Sequence, residues 1–103
     1  MSPTAILSLI GGIIQVLLPL LAEAPHAGAE AQLRPLLDRY CTAVFRLPAK
    51  QRANIRVLWD IKIAVISTPA RAVVNDRMRP LQYAATRHDC ERDVGDILAE
   101  IDR

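Results

Sequence analysis

The stretch Ala5–Ala22, AILSLIGGIIQVLLPLLA, limits what this chain can fold into more than any other feature. Eleven of its eighteen positions are Leu, Ile or Val, and no charged side chain occurs before Glu23. A helix of that composition has to be withdrawn from water around most of its circumference, by lipid or by protein. A secretion signal would need a basic start and a small-x-small cleavage site. The start here is Met-Ser-Pro-Thr, without Lys or Arg, and Pro25 would follow a cut after Ala22-Glu23-Ala24.

The length falls inside the window of about 17–25 residues that spans a bilayer. The strong apolar residues contribute on the order of −3 to −6 kcal/mol to insertion. Ser8, Gly11, Gly12, Gln15 and Pro19 give much of that back, so the segment reads as a marginal span that requires helical company. The weak positions are ordered. Ser8, Gly12, Gln15, Pro19 and Ala22 follow one another at spacings of 4, 3, 4 and 3, which draws one stripe along a helix. In a membrane, that small and weakly polar stripe is a helix-association surface, with Gln15 hydrogen-bonding across it. In a bundle surrounded by water, it is the thin wet edge of a central core helix.

The remainder reads as amphipathic helix. Pro25 and Gly28 break the first segment, and the lone His26 beside them reads as a solvated linker residue. A second helix is expected from about Ala29 to Arg46, with Leu33, Leu36, Leu37, Tyr40, Cys41, Val44 and Phe45 at helical spacing. Pro35 either marks the start of its regular part or kinks it. Leu47-Pro48 turns the chain, and a third helix is expected from about Ala49 to Ile66. Its second half is apolar on most faces, as the central helix of a bundle is. Ser67-Thr68-Pro69 starts a fourth helix, with Thr68 as its cap and Pro69 in its first turn. Pro80 kinks or divides that helix, and Leu81 to Ile101 carries the last apolar stripe. The fold class is therefore all-α: an apolar N-terminal helix over residues 1–24, a linker over 25–31, and a helical domain of three to four amphipathic helices over 32–103.

The net charge of +2 is too small to demand a polyanion partner. It is unevenly spread, with eleven Lys or Arg against five acids up to His88 and two against six from Asp89 onward. The acidic end either folds back on the basic middle, meets a basic partner, or forms a solvated helix face. Arg46, Lys50, Arg52 and Arg56 form a candidate polyanion-contact patch. With the helix after Thr68, which offers Arg71, Asn75, Arg77 and Arg79, they permit a helix-turn-helix reading. One Phe, one Trp and two Tyr are too few for a platform that stacks single-stranded nucleic acid.

No motif for catalysis, cofactor binding or metal binding stands in the chain, so no catalytic, cofactor-binding or metal-binding residues are assigned. His88-Asp89-Cys90-Glu91 cannot converge on one ion, because consecutive helical residues point in different directions. Cys41 and Cys90 lie on or beside apolar stripes and read as buried thiols; a disulfide between them would require an oxidising compartment.

The leading expectation is a non-enzymatic helical protein that associates through its first helix. It would be a membrane-inserted oligomer, or an accessory subunit, with the helical domain on the cytoplasmic side. In architecture this resembles small phage and bacterial membrane proteins, including single-span holins. The alternative is a cytoplasmic, soluble all-α protein-binding module such as an inhibitor, adaptor or virion component. A helix-turn-helix DNA-binding regulator stands third. A protein partner or self-association is expected in the first two readings, without a small-molecule substrate or a cofactor.

Overall fold

In a computed structural model, residues 3–22, 28–83 and 85–101 are described, and these form six helical segments. They are α1 (Pro3–Ala22), α2 (Ala29–Val44), α3 (Ala49–Arg52), α4 (Ile55–Ile63), α5 (Thr68–Tyr83) and α6 (Arg87–Ile101). No strand occurs among the described residues, so the chain is all-α. His26 lies outside them, as does the side chain of Ala22.

The apolar segment forms the central helix. α1 packs against α2, α4 and α5, while α2 and α5 also pack against α6. Ile6, Ile10, Ile13, Ile14, Leu17 and Leu20 are each 5% exposed or less. Around them close Leu33, Leu37 and Tyr40 of α2, Trp59 and Ile63 of α4, and Val74 and Met78 of α5. The core is continuous with Val94, Ile97 and Leu98 of α6. No helix among the described residues is long and apolar enough to cross a membrane.

The third helix is not continuous. It ends at Arg52 and restarts at Ile55, with Asn54 between them at φ −96°, ψ 4°. The amides of Val57 and Leu58 both donate to the Asn54 carbonyl, at 3.0 and 3.3 Å. Asn54 is a weak helix former, and it stands at the break without a side-chain capping hydrogen bond. The role expected for the apolar second half also changes. α1, not α4, is the central helix, and α4 buries only Ile55, Trp59 and Ile63.

The fourth helix starts at Thr68, so its cap lies one residue before the expected one. The Ser67 hydroxyl accepts the Ala70 amide at 3.3 Å, so Ser67, not Thr68, satisfies the orphan donor. Thr86 does the same for α6, accepting the Asp89 amide at 3.0 Å. α5 continues through Pro80 without dividing, and α2 continues through Pro35. Gly28, at φ +112°, opens α2 in a left-handed conformation that a side chain would strain.

Two links tie the helices laterally. Cys41 of α2 and Cys90 of α6 form a disulfide with Cα atoms 5.9 Å apart, where free thiols were expected. Both residues are buried, as their stripes implied, but the packing of α2 on α6 brings the two stripes into register. The second link is polar. The Trp59 indole N–H donates to the Tyr40 hydroxyl at 2.8 Å, and that hydroxyl donates to the Leu81 carbonyl at 3.0 Å. Leu81 is in the last turn of α5, where carbonyls lack an intrahelical donor. Burial pushes the Tyr40 phenol above its ordinary value, against the lowering effect of the Trp59 hydrogen bond.

Candidate functional site

The α1 stripe faces outward. Ser8, Gln15 and Pro19 are exposed, and Gly12 is half-buried against α2. The stripe carries no large exposed apolar side chain. Its margins are covered by long side chains from neighbouring helices. The Lys62 stem of α4 reaches Gly11, whose position for a Cβ lies 3.6 Å from Lys62 Cε and Nζ. On the other margin, Ala5, Ser8 and Leu9 share a groove with Asp38, Arg39, Thr42 and Arg46 of α2. Neighbours thus supply the charge that the sequence of α1 lacks.

The glycine of the stripe, Gly12, is not forced by close packing within the chain. A Cβ on Gly12 would meet only Leu36 Cδ2, at an ordinary 3.8 Å. Gly12→Ala is therefore expected to raise stability by about 0.5–1 kcal/mol through helix propensity, read from the denaturation midpoint. A destabilised variant would instead mark Gly12 as a close contact with another helix.

The basic patch separates into two pairs. Arg46 and Lys50 are exposed. Arg52 folds back to donate to the Leu47 carbonyl at 2.7 Å and lies over the Phe45 ring, 5.3 Å from its centroid. Arg56 pairs with Asp60 at 3.1 Å, donates to the buried Gln82 amide oxygen and to the Tyr83 hydroxyl, and lies 5.7 Å from the Tyr83 centroid. The side chains considered for a recognition helix are similarly engaged. Arg71 caps α4 by donating to the Ala64 and Ile66 carbonyls, at 2.9 and 3.0 Å. Asn75 accepts from Gln82 at 3.4 Å, and Arg77 lies 3.8 Å from Glu100. Arg79 is exposed.

The acidic end packs on α2 and α5 but pairs mostly within itself. Arg87–Glu91 and Arg92–Asp89 are local pairs at 3.1 and 3.4 Å, and Arg77–Glu100 crosses to α5. Burial raises the Asp93 carboxyl, with Arg92 opposing it. Among the described residues no group of three or more His, Cys, Asp or Glu is placed to hold a metal ion.

Two features emerge only in three dimensions. The first is the outer face of α4, where Val57 and Ile61 are 53% and 51% exposed, with Val65, 82% exposed, in the turn just beyond the C-cap Ala64. Val57 and Ile61 stand one turn apart, about 6 Å along the helix. The sequence signal was the all-round apolar character of Val57–Ile66, but nothing in it marked which face the fold would leave uncovered. The second is a cleft of about 230 Å³ between the ends of α2 and α5 and the start of α4, lined by Phe45, Arg52, Arg56, Gln82 and Tyr83 among others. No protein family, curated protein or solved structure matches the chain.

Proposed function

We propose that this chain is a non-catalytic all-α protein-binding module, with α1 as its core helix and the outer face of α4 as its contact surface. The observation that carries the reading is the pair Val57 and Ile61, branched apolar side chains left to water on one face of α4, with Val65 also exposed in the turn that follows. Isolated exposed apolar residues are ordinary, whereas neighbouring ones that form a contiguous patch mark a contact surface. Around it, residues 49–65 carry Lys50, Arg52, Arg56 and Lys62 against the single acid Asp60. The complementary partner is an amphipathic helix with an apolar face and acidic margins. The Cys41–Cys90 bridge supports an oxidising compartment instead of the cytoplasm.

The competing role for α1, a membrane span that oligomerises through its stripe, makes opposite predictions. In the core-helix reading the chain is released from membranes by a carbonate wash. The double variant Ser8→Lys/Gln15→Lys then stays within about 0.5 kcal/mol of the parent, because both positions face water. Retention of the parent in the pellet, with release of the Lys variant, overturns this reading, since each Lys inside a span costs about 2.5–3.5 kcal/mol of insertion. The contact face is tested with a labelled helical peptide of Leu face and Glu margins, followed by anisotropy. Ile61→Glu should weaken its binding by about tenfold or more, the loss of one buried apolar contact together with a like-charge clash. Equal binding to the variant removes α4 as the contact surface.

A further inference from the structure

The cleft at the start of α4 is chemically unbalanced. Two guanidinium groups line it, those of Arg52 and Arg56, and no carboxylate does. Each guanidinium lies over an aromatic ring, Arg52 over Phe45 and Arg56 over Tyr83, which holds its plane without neutralising its charge. Arg56 has one carboxylate partner, Asp60, at the edge of the site, and Arg52 has none among the described residues. Arg52 uses only Nη1, for the Leu47 carbonyl. Its Nε and Nη2, and Nη2 of Arg56, have no hydrogen-bond partner among the described residues.

The remaining walls point the same way. Gln82, 5% exposed, lines the cleft and is locked there by Arg56 and Asn75. Ile55 and Arg56, which also line it, form the first turn of α4. That turn has no side-chain cap, because Asn54 makes no capping hydrogen bond. Uncapped amides and the positive end of the helix dipole add to the two guanidiniums. The volume of about 230 Å³ admits one small group with a few waters, at about 30 Å³ for each water.

We propose that this cleft binds a single small oxyanion, a carboxylate or a phosphoryl group, between the free edges of Arg52 and Arg56. Fork-shaped donors held on rings suit such a group. Of the four basic residues Arg46, Lys50, Arg52 and Arg56 grouped in sequence, only Arg52 and Arg56 line the cleft. The site is independent of the apolar face of α4, so either can fail without the other.

The test is a titration of the ¹⁵N-labelled full chain with sodium acetate and, separately, with sodium phosphate, at constant ionic strength. The expected result is saturable displacement of the Ile55 and Arg56 amide signals, together with the Arg52 and Arg56 Nε–H signals, by at least one of the two anions. The anion that saturates identifies the group. Arg52→Met should weaken that binding about tenfold or more, the loss of a charged hydrogen bond. Arg52→Lys keeps the charge and the fold if the Met variant does not fold, and should weaken binding by a smaller factor because it loses the fork. The proposal is overturned if neither anion saturates. Displacements spread evenly over all basic residues overturn it too, as does equal binding by parent and Lys variants alongside a folded Met variant that binds unchanged.

Discussion

Removing the Cys41–Cys90 bridge should lower the stability of the chain by about 4 kcal/mol and its melting temperature by roughly 15–30 °C. The magnitude comes from the unfolded state. The two cysteines are separated by 49 residues, and closing a loop of that length removes a large share of the freedom of the unfolded chain. A domain of this size has only about 5–15 kcal/mol in hand, so the bridge decides whether it is comfortably or marginally folded. The measurement is a pair of thermal melts, of the parent with and without reductant, beside a Cys41→Ala/Cys90→Ala variant. The reduced parent and the variant should agree within about 1 kcal/mol, because both lose the same constraint. Thiol titration of the unfolded, unreduced chain should find no free cysteine. Two titratable thiols and coincident melts would mean that the buried residues act as small hydrophobes and that the case for an oxidising compartment lapses.

Truncation of Trp59 should be of similar weight, about 3–5 kcal/mol for Trp59→Ala. Trp59 is the largest fully buried side chain among the described residues and sits at the middle of the short helix α4, between the buried Ile55 and Ile63. Its ring meets Tyr40 edge to face, with centroids 5.6 Å apart and planes at 69°. Its N–H begins the hydrogen-bond chain through Tyr40 to Leu81, which joins α4, α2 and α5. Deleting the indole opens a cavity at that junction. Tyr40→Phe keeps the volume but leaves the Trp59 N–H and the Leu81 carbonyl buried without partners, at about 1–3 kcal/mol. Urea unfolding of the two variants should therefore show midpoints falling in the order parent, Tyr40→Phe, Trp59→Ala with similar slopes. Should Tyr40→Phe cost as much as Trp59→Ala, the hydrogen bonds rather than the packing would dominate the junction.

Much of the helical plan is visible in the linear chain because helical spacing is local. Leu33, Leu37, Tyr40, Cys41 and Val44 are buried in α2 as their spacing implies, and Cys90, Val94, Ile97 and Leu98 are buried in α6. Positions that depend on the competition between neighbouring polar groups were harder to read. Ser67 and Thr68 are both good caps, and only the backbone geometry selects Ser67. Asn54 interrupts a pattern that apolar spacing alone carries through. The candidate site was legible only as composition. Arg52 and Arg56 stood out as charges, while their rings come from elsewhere, Phe45 from the end of α2 and Tyr83 from α5, and the missing carboxylate is a property of the assembled cleft.

What the sequence determined by itself is that Ala5–Ala22 had to be surrounded, and that its weak edge ran along Ser8, Gly12, Gln15 and Pro19. Desolvating so many apolar side chains without a single charge left no other choice. Only the tertiary structure decided what surrounds it. α2, α4 and α5 cover the apolar arc, leaving Ser8, Gln15 and Pro19 to water. Burying Ile55, Trp59 and Ile63 of α4 in the core is also what turns Val57 and Ile61 outward, since these stand on the opposite side of the helix.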